Sequence, residues 1–467
     1  MTPPRNSDRR TEKDALGPLD IPADAYWGIH TRRALDNFPI SGTRVPPSLI
    51  HSLADVKKAA CSTNQQLGFL PDVKARAIIQ ACDEISAGRL DDQFPLDALQ
   101  GGAGTSTNMN INEVIANRAS EILGGPRGAG AAVSPLEEVN LHQSTNDVYP
   151  TALKVAALRG LRNLSRAIES VQGSFQKKEK EFASILKMGR TETQDAVPIT
   201  LGAEFGVFAE AFARDRWRTF KCEERLRTVN LGGTAVGTGL TAPRDYVFRI
   251  TDALRELTGL PLARAENLMD PTANADAFVE TSGILKAHAT NLIKICGDLR
   301  WMNSLGEIRL EKRQAGSSIM PGKINPVLLE AGIQTGLKVQ SNDLLITESV
   351  SRGTFQLCEF MPLLALAFLE SLEILTRFDA LFSPHIERIE ADVETCRARM
   401  DSSPTIITAF LPHIGYERAE EILRRFHASG QKDLHDFLHK ELGKDTVERI
   451  LSPSHVMSLG YPHEPNS

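Results

Sequence analysis

Five long stretches of the chain repeat apolar residues at intervals of three and four, the spacing of one face of an α-helix. The stretches predicted as long helices are residues 151–188, 200–229, 273–302, 326–347 and 362–381. At about 1.5 Å per residue, the first alone would be a rod of roughly 57 Å, too long for a single compact domain to cover. The alternation of apolar and polar residues that is typical of β-strands is nearly absent. The sequence therefore predicts an all-α (mainly α) fold built around a helical bundle.

The parts of the chain on either side of these helices differ in character. Residues 1–18 are polar and contain prolines, and we expect a disordered leader there. Residues 19–150 mix turn-rich segments with shorter amphipathic stretches, which predicts an N-terminal, mainly helical domain. Residues 151–399 would form the central bundle and residues 400–467 a small C-terminal helical domain. Because long helices with many apolar seams often find their remaining partners in other subunits, we also expect a symmetric oligomer.

Charge and cysteine content narrow the function classes. The 467 residues carry 53 basic and 59 acidic side chains, which are interspersed and give a net charge of −6. Without a basic stripe, nucleic acid and anionic membrane surfaces are poor candidate partners, and a small molecule becomes the expected ligand. The six cysteines contain no CxxC pair and are expected to be reduced thiols. No run of about 20 apolar residues and no apolar N-terminal segment occurs, so we expect a cytoplasmic protein.

Several short motifs do not support a function. Residues 237–242, GTGLTA, fit a dinucleotide fingerprint, but they follow a predicted helix instead of a strand, and we interpret them as a loop. The glycines at 101–104 are not followed by GK[ST], and no GxSxG elbow is present. His435 and His439 could share a helix face toward a metal, but without an evident third ligand a solvated tail helix is favoured. We therefore expect neither a metal nor a cofactor.

Four clusters of hydroxyl and amide side chains interrupt the helical pattern, at residues 104–110, 142–147, 189–195 and 316–325. Helix capping accounts for part of them. It does not account for the density of short neutral donors, or for Lys323 set among glycine, proline and serine. Many short donors and one cation suit a small dicarboxylate. The same donors would stabilise the charge that develops on a carboxylate when its α-carbon loses a proton.

The four clusters also resemble the motifs of a known family. Residues 316–325, GSSIMPGKIN, resemble the signature of the aspartase/fumarase superfamily. GAGTSTNMNINEVIANRA, HQSTNDVYPTALK and GRTETQDAVPITLG are similar to the companion motifs of its class II fumarase and aspartase branch. The resemblance runs from about Pro22 to about Ser454. It implies a homotetramer in which the five-helix bundles of the subunits merge into a twenty-helix core, with each active site built by three subunits.

The resemblance also implies anti elimination that yields fumarate, with closest similarity to the ammonia-releasing branch. Ser317 would be the catalytic base that removes a proton from C3. Four residues would hold the carboxylate that becomes an aci-carboxylate: Thr105, Ser144, Thr145 and Ser318. The other carboxylate would be held by Thr191, Lys323 and Asn325, with Met320 also in the binding loop. Asn146 would face the leaving group.

The leaving group depends on Glu192. Fumarases have histidine after GRT, and aspartases have histidine or glutamine, whereas this chain has Glu192, with Glu330 matching the glutamate that pairs with that histidine. Two nearby carboxylates would attract a substrate ammonium, and one such pair is worth at most about 4 kcal/mol at about 4 Å and an effective dielectric of about 20. This favours release of ammonia from L-aspartate. Two alternative reactions remain: hydration of fumarate, and release of another group from a substituted succinate by a specialised lyase. A further alternative is that Glu192 turns outward and does not contact the leaving group.

Three further departures from the family pattern bear on the site. Residues 134–144, SPLEEVNLHQS, replace a segment that often reads HPNDHVNKSQS, so we expect the second dicarboxylate site of fumarases to be lost. His142 stands where serine is usual, and is either a packed histidine or a new group lining the site. Cys358 stands where asparagine is usual, and the sequence assigns it no role.

Overall fold

The computed structural model describes residues 9–128 and 131–461, and helices dominate it. Five long helices run through the middle of the chain: α5 (Thr145–Glu181), α6 (Leu201–Leu226), α9 (Asp276–Ser304), α10 (Val327–Ser351) and α11 (Met361–Glu387). Before and between them lie α1 (Ile29–Asn37), α2 (Pro47–Gln66), α3 (Asp72–Ser86), α4 (Thr105–Ile122), α7 (Arg244–Thr258) and α8 (Asp270–Ala273). The chain ends with α12 (Val393–Ser402), α13 (Leu411–Ile414), α14 (Tyr416–Ser429), α15 (Leu434–Leu442), α16 (Lys444–Ile450) and α17 (Pro453–Val456). The predicted mainly helical fold is confirmed.

The five helices predicted from apolar spacing are the five long helices observed, with ends that differ from the prediction by up to seven residues. The first begins at Thr145 and stops at Glu181, seven residues before the predicted end at 188. Its apolar seam continues past the helix because Phe182 and Met188 are buried in the segment that follows. Phe182 lies in the turn after the helix and Met188 in a strand, so the side chains that continue the helical spacing belong to other elements.

The strands form small two-stranded sheets. They are β1 (Arg9–Asp14), β2 (Gly17–Pro22), β3 (Leu186–Thr191), β4 (Gln194–Thr200), β5 (Thr228–Val229), β6 (Ala263–Arg264), β7 (Ile308–Arg309) and β8 (Glu390–Ala391). β1 pairs antiparallel with β2 from Arg9 opposite Pro22 to Asp14 opposite Gly17. The expectation of a disordered leader is therefore wrong for residues 9–18, while residues 1–8 lie outside the described part of the chain. Only alternate side chains of β1 are partly buried, so its sequence contains few of the apolar residues that would predict a strand.

The chain divides into two compact units, each assembled from separate segments. Unit 1 comprises residues 1–165, 218–287 and 338–375, and unit 2 comprises residues 166–217, 288–337 and 376–467. Each of the five long helices has part of its residues in unit 1 and the rest in unit 2. The division into domains at 19–150, 151–399 and 400–467 remains a prediction.

Two apolar clusters stand out among the described residues of unit 2. In one, the ring of Phe175 lies 5.5–6.0 Å from four other rings, those of Phe205, Phe208, Phe212 and Phe382. In the other, the C-terminal helices pack around Met400, Ile422 and Leu438 and take in Met188 of β3. Such ring pairs add to the stabilisation from burial alone. No helix among the described residues is long and apolar enough to span a membrane.

Candidate active site

Two of the four polar clusters lie at helix N-termini in unit 1. Thr105 is the first residue of α4 and Thr145 the first residue of α5. Gly104, which precedes α4, has φ of 91°, and a Cβ there would lie 2.4 Å from the Tyr149 ring of α5. The amide of Asn108 donates to the Thr145 hydroxyl at 3.1 Å. The glycine thus lets the two helix starts meet, and the positive end of each helix dipole suits an anion.

A buried network of hydrogen bonds holds the second polar cluster, residues 142–147, in place. Asp147 accepts hydrogen bonds from the backbone N–H groups of Ser144, Gly232 and Thr234 at 3.0–3.1 Å. Burial raises the pKa of Asp147 to about 6 in spite of these donors. The network fixes the backbone of Ser144 to the loop that follows β5.

Lys57 of α2 is the cation of this network. It is fully buried, and its ammonium donates to Asn140 Oδ1 at 3.0 Å and to Gln143 Oε1 at 2.9 Å. Burial lowers the pKa of Lys57 to about 7. Lys57 therefore holds Gln143 and, through it, the segment that leads to Ser144. A lysine on the apolar face of a predicted helix, beside Val56 and Ala60, was the signal for it in the sequence.

Asn146 is oriented by its neighbours. Its Nδ2 donates to the backbone carbonyl oxygen of Ala235 at 2.8 Å, and its backbone carbonyl oxygen accepts from Asn230 Nδ2 at 2.9 Å. Because the Ala235 oxygen can only accept, the amide nitrogen must face it, and Oδ1 is left on the opposite side of the amide as an acceptor. An acceptor suits an ammonium group.

His142 is a packed histidine. Its Nδ1 lies 2.7 Å from Asn64 Oδ1, and its ring meets the rings of Phe69 and Tyr246 at centroid distances of 4.8 and 5.5 Å. Burial lowers its pKa, so the ring is neutral near pH 7. Of the two interpretations left open by the sequence, these contacts favour packing. Cys358 is likewise buried, and burial raises the pKa of its thiol, so it lacks the thiolate that a reactive cysteine needs.

The signature segment, residues 316–325, forms a closed loop in unit 2. Gly316 N–H donates to Lys323 O at 2.7 Å, and Asn325 Nδ2 donates to Gly316 O at 2.9 Å. A Cβ at Gly316 would lie 2.7 Å from Lys323 O, so only glycine permits this closure. Within the loop, Ser317 Oγ accepts from the backbone N–H of Ile319 at 3.2 Å and of Met320 at 3.0 Å. Two N–H donors on one hydroxyl oxygen favour its ionised form.

The remaining loop side chains are open to solvent within one chain. Ser318, Met320 and Lys323 are exposed, and Ile319 is 84% exposed. Lys323 makes no ion pair with any residue that the structure describes, so its charge is available to an anion. Asn325 is half-buried.

Asn325 and Glu330 line one cavity of about 500 Å³ in unit 2, together with Arg300, Trp301 and Ile324. Glu330, in the first turn of α10, has a carboxylate oxygen 3.7 Å from Arg300 Nη2. Glu330 therefore already faces a cation, and Arg300 is a group that the sequence did not single out. The sequence predicted that Glu192 and Glu330 would rely on a substrate ammonium for their counter-charge. Glu330 instead has Arg300 as a counter-charge within the protein.

Thr191 and Glu192 lie at the tip of the β3–β4 hairpin. Thr191 pairs with Gln194, so Glu192 and Thr193 are the two turn residues, with φ of 51° and 67°. Such turns usually contain Asn-Gly, and two side-chain-bearing residues with positive φ are strained. Both side chains are exposed. The turn therefore presents Glu192 outward from the hairpin.

A buried glutamate anchors this hairpin. Glu307 is fully buried and lies 2.8 Å from Lys187 Nζ and 2.7 Å from Arg190 Nη1. Lys187 also pairs with Glu204 at 2.5 Å, and Arg190 with Asp195 at 3.2 Å. These ion pairs hold the strand immediately before Thr191. The sequence did not reveal Glu307 because it lies more than a hundred residues from the hairpin.

The predicted site residues thus fall into two groups. Unit 1 brings together Thr105, Ser144, Thr145 and Asn146, and unit 2 carries Thr191, Glu192, Ser317, Ser318, Met320, Lys323, Asn325 and Glu330. Each group has the donors expected for one end of a dicarboxylate. The loop reading of residues 237–242 agrees with the turns observed there.

Comparison with known proteins identifies the family. A family model described as "Lyase" matches residues 17–341. An aspartate ammonia-lyase of a Bacillus species is 45% identical over 97% of this chain and 99% of its own length. A class II fumarate hydratase of Ralstonia nicotianae is 42% identical over 90% of this chain and 93% of its own. A crystal structure of fumarate lyase:delta crystallin from Brucella melitensis bound to cobalt is 44% identical, with a TM-score of 0.90 over 95% of this chain and 98% of that one.

The chain therefore belongs to this lyase family, within the aspartase/fumarase superfamily. The resemblance found in the four motifs is confirmed over nearly the full length. The relatives include both ammonia-releasing and hydrating enzymes at similar identity, so the choice between these reactions depends on the site.

Proposed function

We propose that this chain is an aspartate ammonia-lyase, a carbon–nitrogen lyase that converts L-aspartate reversibly into fumarate and ammonia. The observation that carries the proposal is the pair of backbone N–H groups on Ser317 Oγ, in a loop that also bears the exposed cation Lys323. A serine needs such stabilisation to act as a base, and a dicarboxylate needs the cation. The full-length similarity to curated aspartate ammonia-lyases gives the same reaction.

In the proposed mechanism, ionised Ser317 removes a proton from C3 of aspartate. The electron pair of the broken C–H bond moves first onto the adjacent carboxylate, which becomes an aci-carboxylate. It then forms the C2–C3 double bond as the C–N bond breaks and the ammonium group departs as neutral ammonia. Fumarate and protonated Ser317 remain, and Ser317 returns its proton to solvent.

The other site residues have binding roles in this proposal. The hydroxyl groups of Thr105, Ser144, Thr145 and Ser318 hold the carboxylate that gains charge, and the N-termini of α4 and α5 add to their effect. Lys323, Asn325 and Thr191 hold the second carboxylate. Asn146 Oδ1 accepts a hydrogen bond from the leaving ammonium, and Glu192 supplies negative charge near it.

The assembly is also part of the proposal. The signature loop and its Lys323 are exposed in one chain, and exposed apolar side chains lie on the long helices, among them Trp217, Trp301, Leu337 and Leu344. Covering both requires further subunits. We therefore propose a homotetramer in which three subunits contribute to each active site. Its substrate would be a small dicarboxylate, and its location the cytoplasm.

Two other reactions remain candidates because a class II fumarate hydratase is 42% identical to this chain and because Glu192 departs from both branches. One is hydration of fumarate to malate. The other is elimination of a different group from a substituted succinate.

The deciding experiment offers purified enzyme L-aspartate, L-malate and a panel of other C4 dicarboxylates, and follows fumarate by ultraviolet absorbance. We expect release from aspartate, reversed by added ammonia, and its loss in Ser317→Ala by at least about a hundredfold, the scale of general base catalysis. Turnover of malate with silence toward aspartate would support the hydratase instead. Ser317→Ala should keep the oligomeric state, and activity surviving in it would show that Ser317 is not the base.

A further inference from the structure

Two histidines and a glutamate converge in the C-terminal helices of unit 2, apart from the residues assigned to catalysis. His435 and His439 lie one helical turn apart on α15, which places their rings on one face, with ring centroids 4.3 Å apart. Nε2 of His435 is 3.7 Å and Nε2 of His439 is 3.2 Å from the same atom, Oε1 of Glu448 on α16. The expectation of two solvated histidines without a third ligand is therefore wrong.

The spacing of these three atoms fits a bound ion. A tetrahedral metal with bonds of about 2.0–2.1 Å separates its ligand atoms by about 3.3 Å. The two measured distances to Glu448 bracket that value closely, and one ligand atom from each of the three residues lies within 4.8 Å of the others. A metal could be accepted by side-chain adjustment alone, without movement of α15 against α16.

The environment of the histidines points the same way. The side chain of His435 is 8% exposed and that of His439 is 20% exposed. His439 Nε2 is buried and has no hydrogen bond of acceptable geometry to any described residue. A buried ring nitrogen that makes no hydrogen bond is costly, and a ligand bond would satisfy it.

Two further carboxylates lie near the first histidine. Asp433, the N-cap of α15, and Asp436 each have an oxygen within 4.8 Å of a ring nitrogen of His435. A histidine that binds a metal through one ring nitrogen commonly donates the other N–H to a carboxylate, which fixes the ring and strengthens the ligand. The cluster thus contains both the ligands and a group suited to orient one of them.

We propose that His435, His439 and Glu448 bind one divalent transition-metal ion of the Zn²⁺ or Co²⁺ class, with a coordination position left for water. Two imidazoles and one carboxylate select such ions over Mg²⁺, which prefers oxygen ligands. The ion would tie α15 to α16. These helices belong to the cluster that packs on the hairpin of Thr191, since α12 contacts β3 and α17 contacts β4.

The test uses the full-length protein without a histidine tag, stripped with a chelator, desalted and titrated with Co²⁺ alone. We expect one Co²⁺ per chain with the visible absorption bands of a four-coordinate ion, displacement by Zn²⁺, and a higher melting temperature with the metal.

The variants are Glu448→Gln and His439→Ala, with His427→Ala on α14 as the matched control, since His427 is exposed and outside the cluster. We expect each ligand variant to weaken Co²⁺ binding by at least about tenfold, and the control to bind as the unchanged protein does. The Glu448 side chain is 53% exposed, so Glu448→Gln should fold even if His439→Ala does not. Equal binding in Glu448→Gln and the control, or no binding in the unchanged protein, would overturn the proposal.

Discussion

Glu192 has a backbone conformation that a residue with a side chain adopts only when its surroundings impose it. Its φ of 51° and that of Thr193, 67°, complete a two-residue turn in which glycine or asparagine would be relaxed. Each such residue costs about 1–3 kcal/mol. The ion pairs of Glu307 supply the rigidity that holds the turn. A strained turn beside Thr191 suggests that the exposed Glu192 carboxylate has a function. In the proposed reaction that function is to bind the substrate ammonium.

Glu192→Gln is the direct test of that use. Glutamine has the same shape and the same turn strain but no charge, so we expect kcat/KM for aspartate to fall by about tenfold, equivalent to about 1.4 kcal/mol. The preference for aspartate over malate should fall by a similar factor. Initial rates with both substrates measure it.

The neighbouring change Thr193→Gly is the control. It relieves turn strain and leaves the carboxylate in place, so it should leave the substrate preference unchanged. If Glu192→Gln keeps the aspartate preference of the unchanged protein, Glu192 does not act on the leaving group.

At the residue scale, the sequence identified the groups that form short local motifs and missed those that support them. Ser317 and Lys323 lie in one ten-residue segment whose pattern is visible in the printed sequence. Lys57 donates a hydrogen bond to Gln143, which lies 86 positions later in the sequence. Arg300 lies near Glu330, which is thirty positions later. Such pairs follow from packing in three dimensions, which a local pattern does not contain.

At the scale of elements, three long helices are joined by a buried charged cluster. His288 of α9 lies with Nδ1 3.0 Å from Asp215 of α6 and Nε2 3.0 Å from Asp379 of α11, and all three are fully buried. Burial alone would lower the pKa of His288, but the two carboxylates raise it to about 10. The imidazolium is therefore a counter-charge that both buried carboxylates face inside unit 2.

His288→Gln should lower the free energy of unfolding by about 3–5 kcal/mol at pH 6, because it removes the cation that faces the buried carboxylate of Asp379. A histidine whose folded pKa is raised contributes its full stability below its unfolded pKa of about 6.5 and loses it as the pH rises through about 10. The difference between unchanged protein and variant should therefore shrink between pH 7 and pH 10. Denaturant unfolding at several pH values measures it.

The exposed His413→Gln offers a comparison and should change stability by no more than about 0.5 kcal/mol. A difference for His288→Gln that is constant with pH would show that His288 is neutral in the folded protein.

Helices were predictable where one apolar face recurs, and strands were not. The five long helices follow from the periodicity, whereas the same periodicity predicts that α5 continues through β3, because Phe182 and Met188 continue its apolar spacing. What makes β3 a strand is its pairing with β4 and the ion pairs of Lys187 and Arg190 to Glu307, which joins from a distant part of the chain.

At the scale of the whole molecule, the long helices carry more exposed apolar area than a monomer needs. On α10, Leu337 is 54% exposed and Leu344 is 61% exposed, and they lie seven positions apart, so they share one face of the helix. Val339 and Ile346 on the same helix are fully buried. A helix that is apolar on two faces fits a bundle that continues into other subunits.

A charge on the exposed face should therefore separate the subunits. Leu344→Glu would bury an unpaired carboxylate in the proposed interface, and we expect dissociation in analytical ultracentrifugation together with loss of lyase activity. Val393→Glu is the matched control, since Val393 is 54% exposed on α12 and should tolerate the charge. Because the proposed site needs loops from several chains, activity should disappear in step with the oligomer as the protein is diluted. A Leu344→Glu protein that sediments as a monomer and still releases fumarate at the original rate would show that one chain carries a complete site.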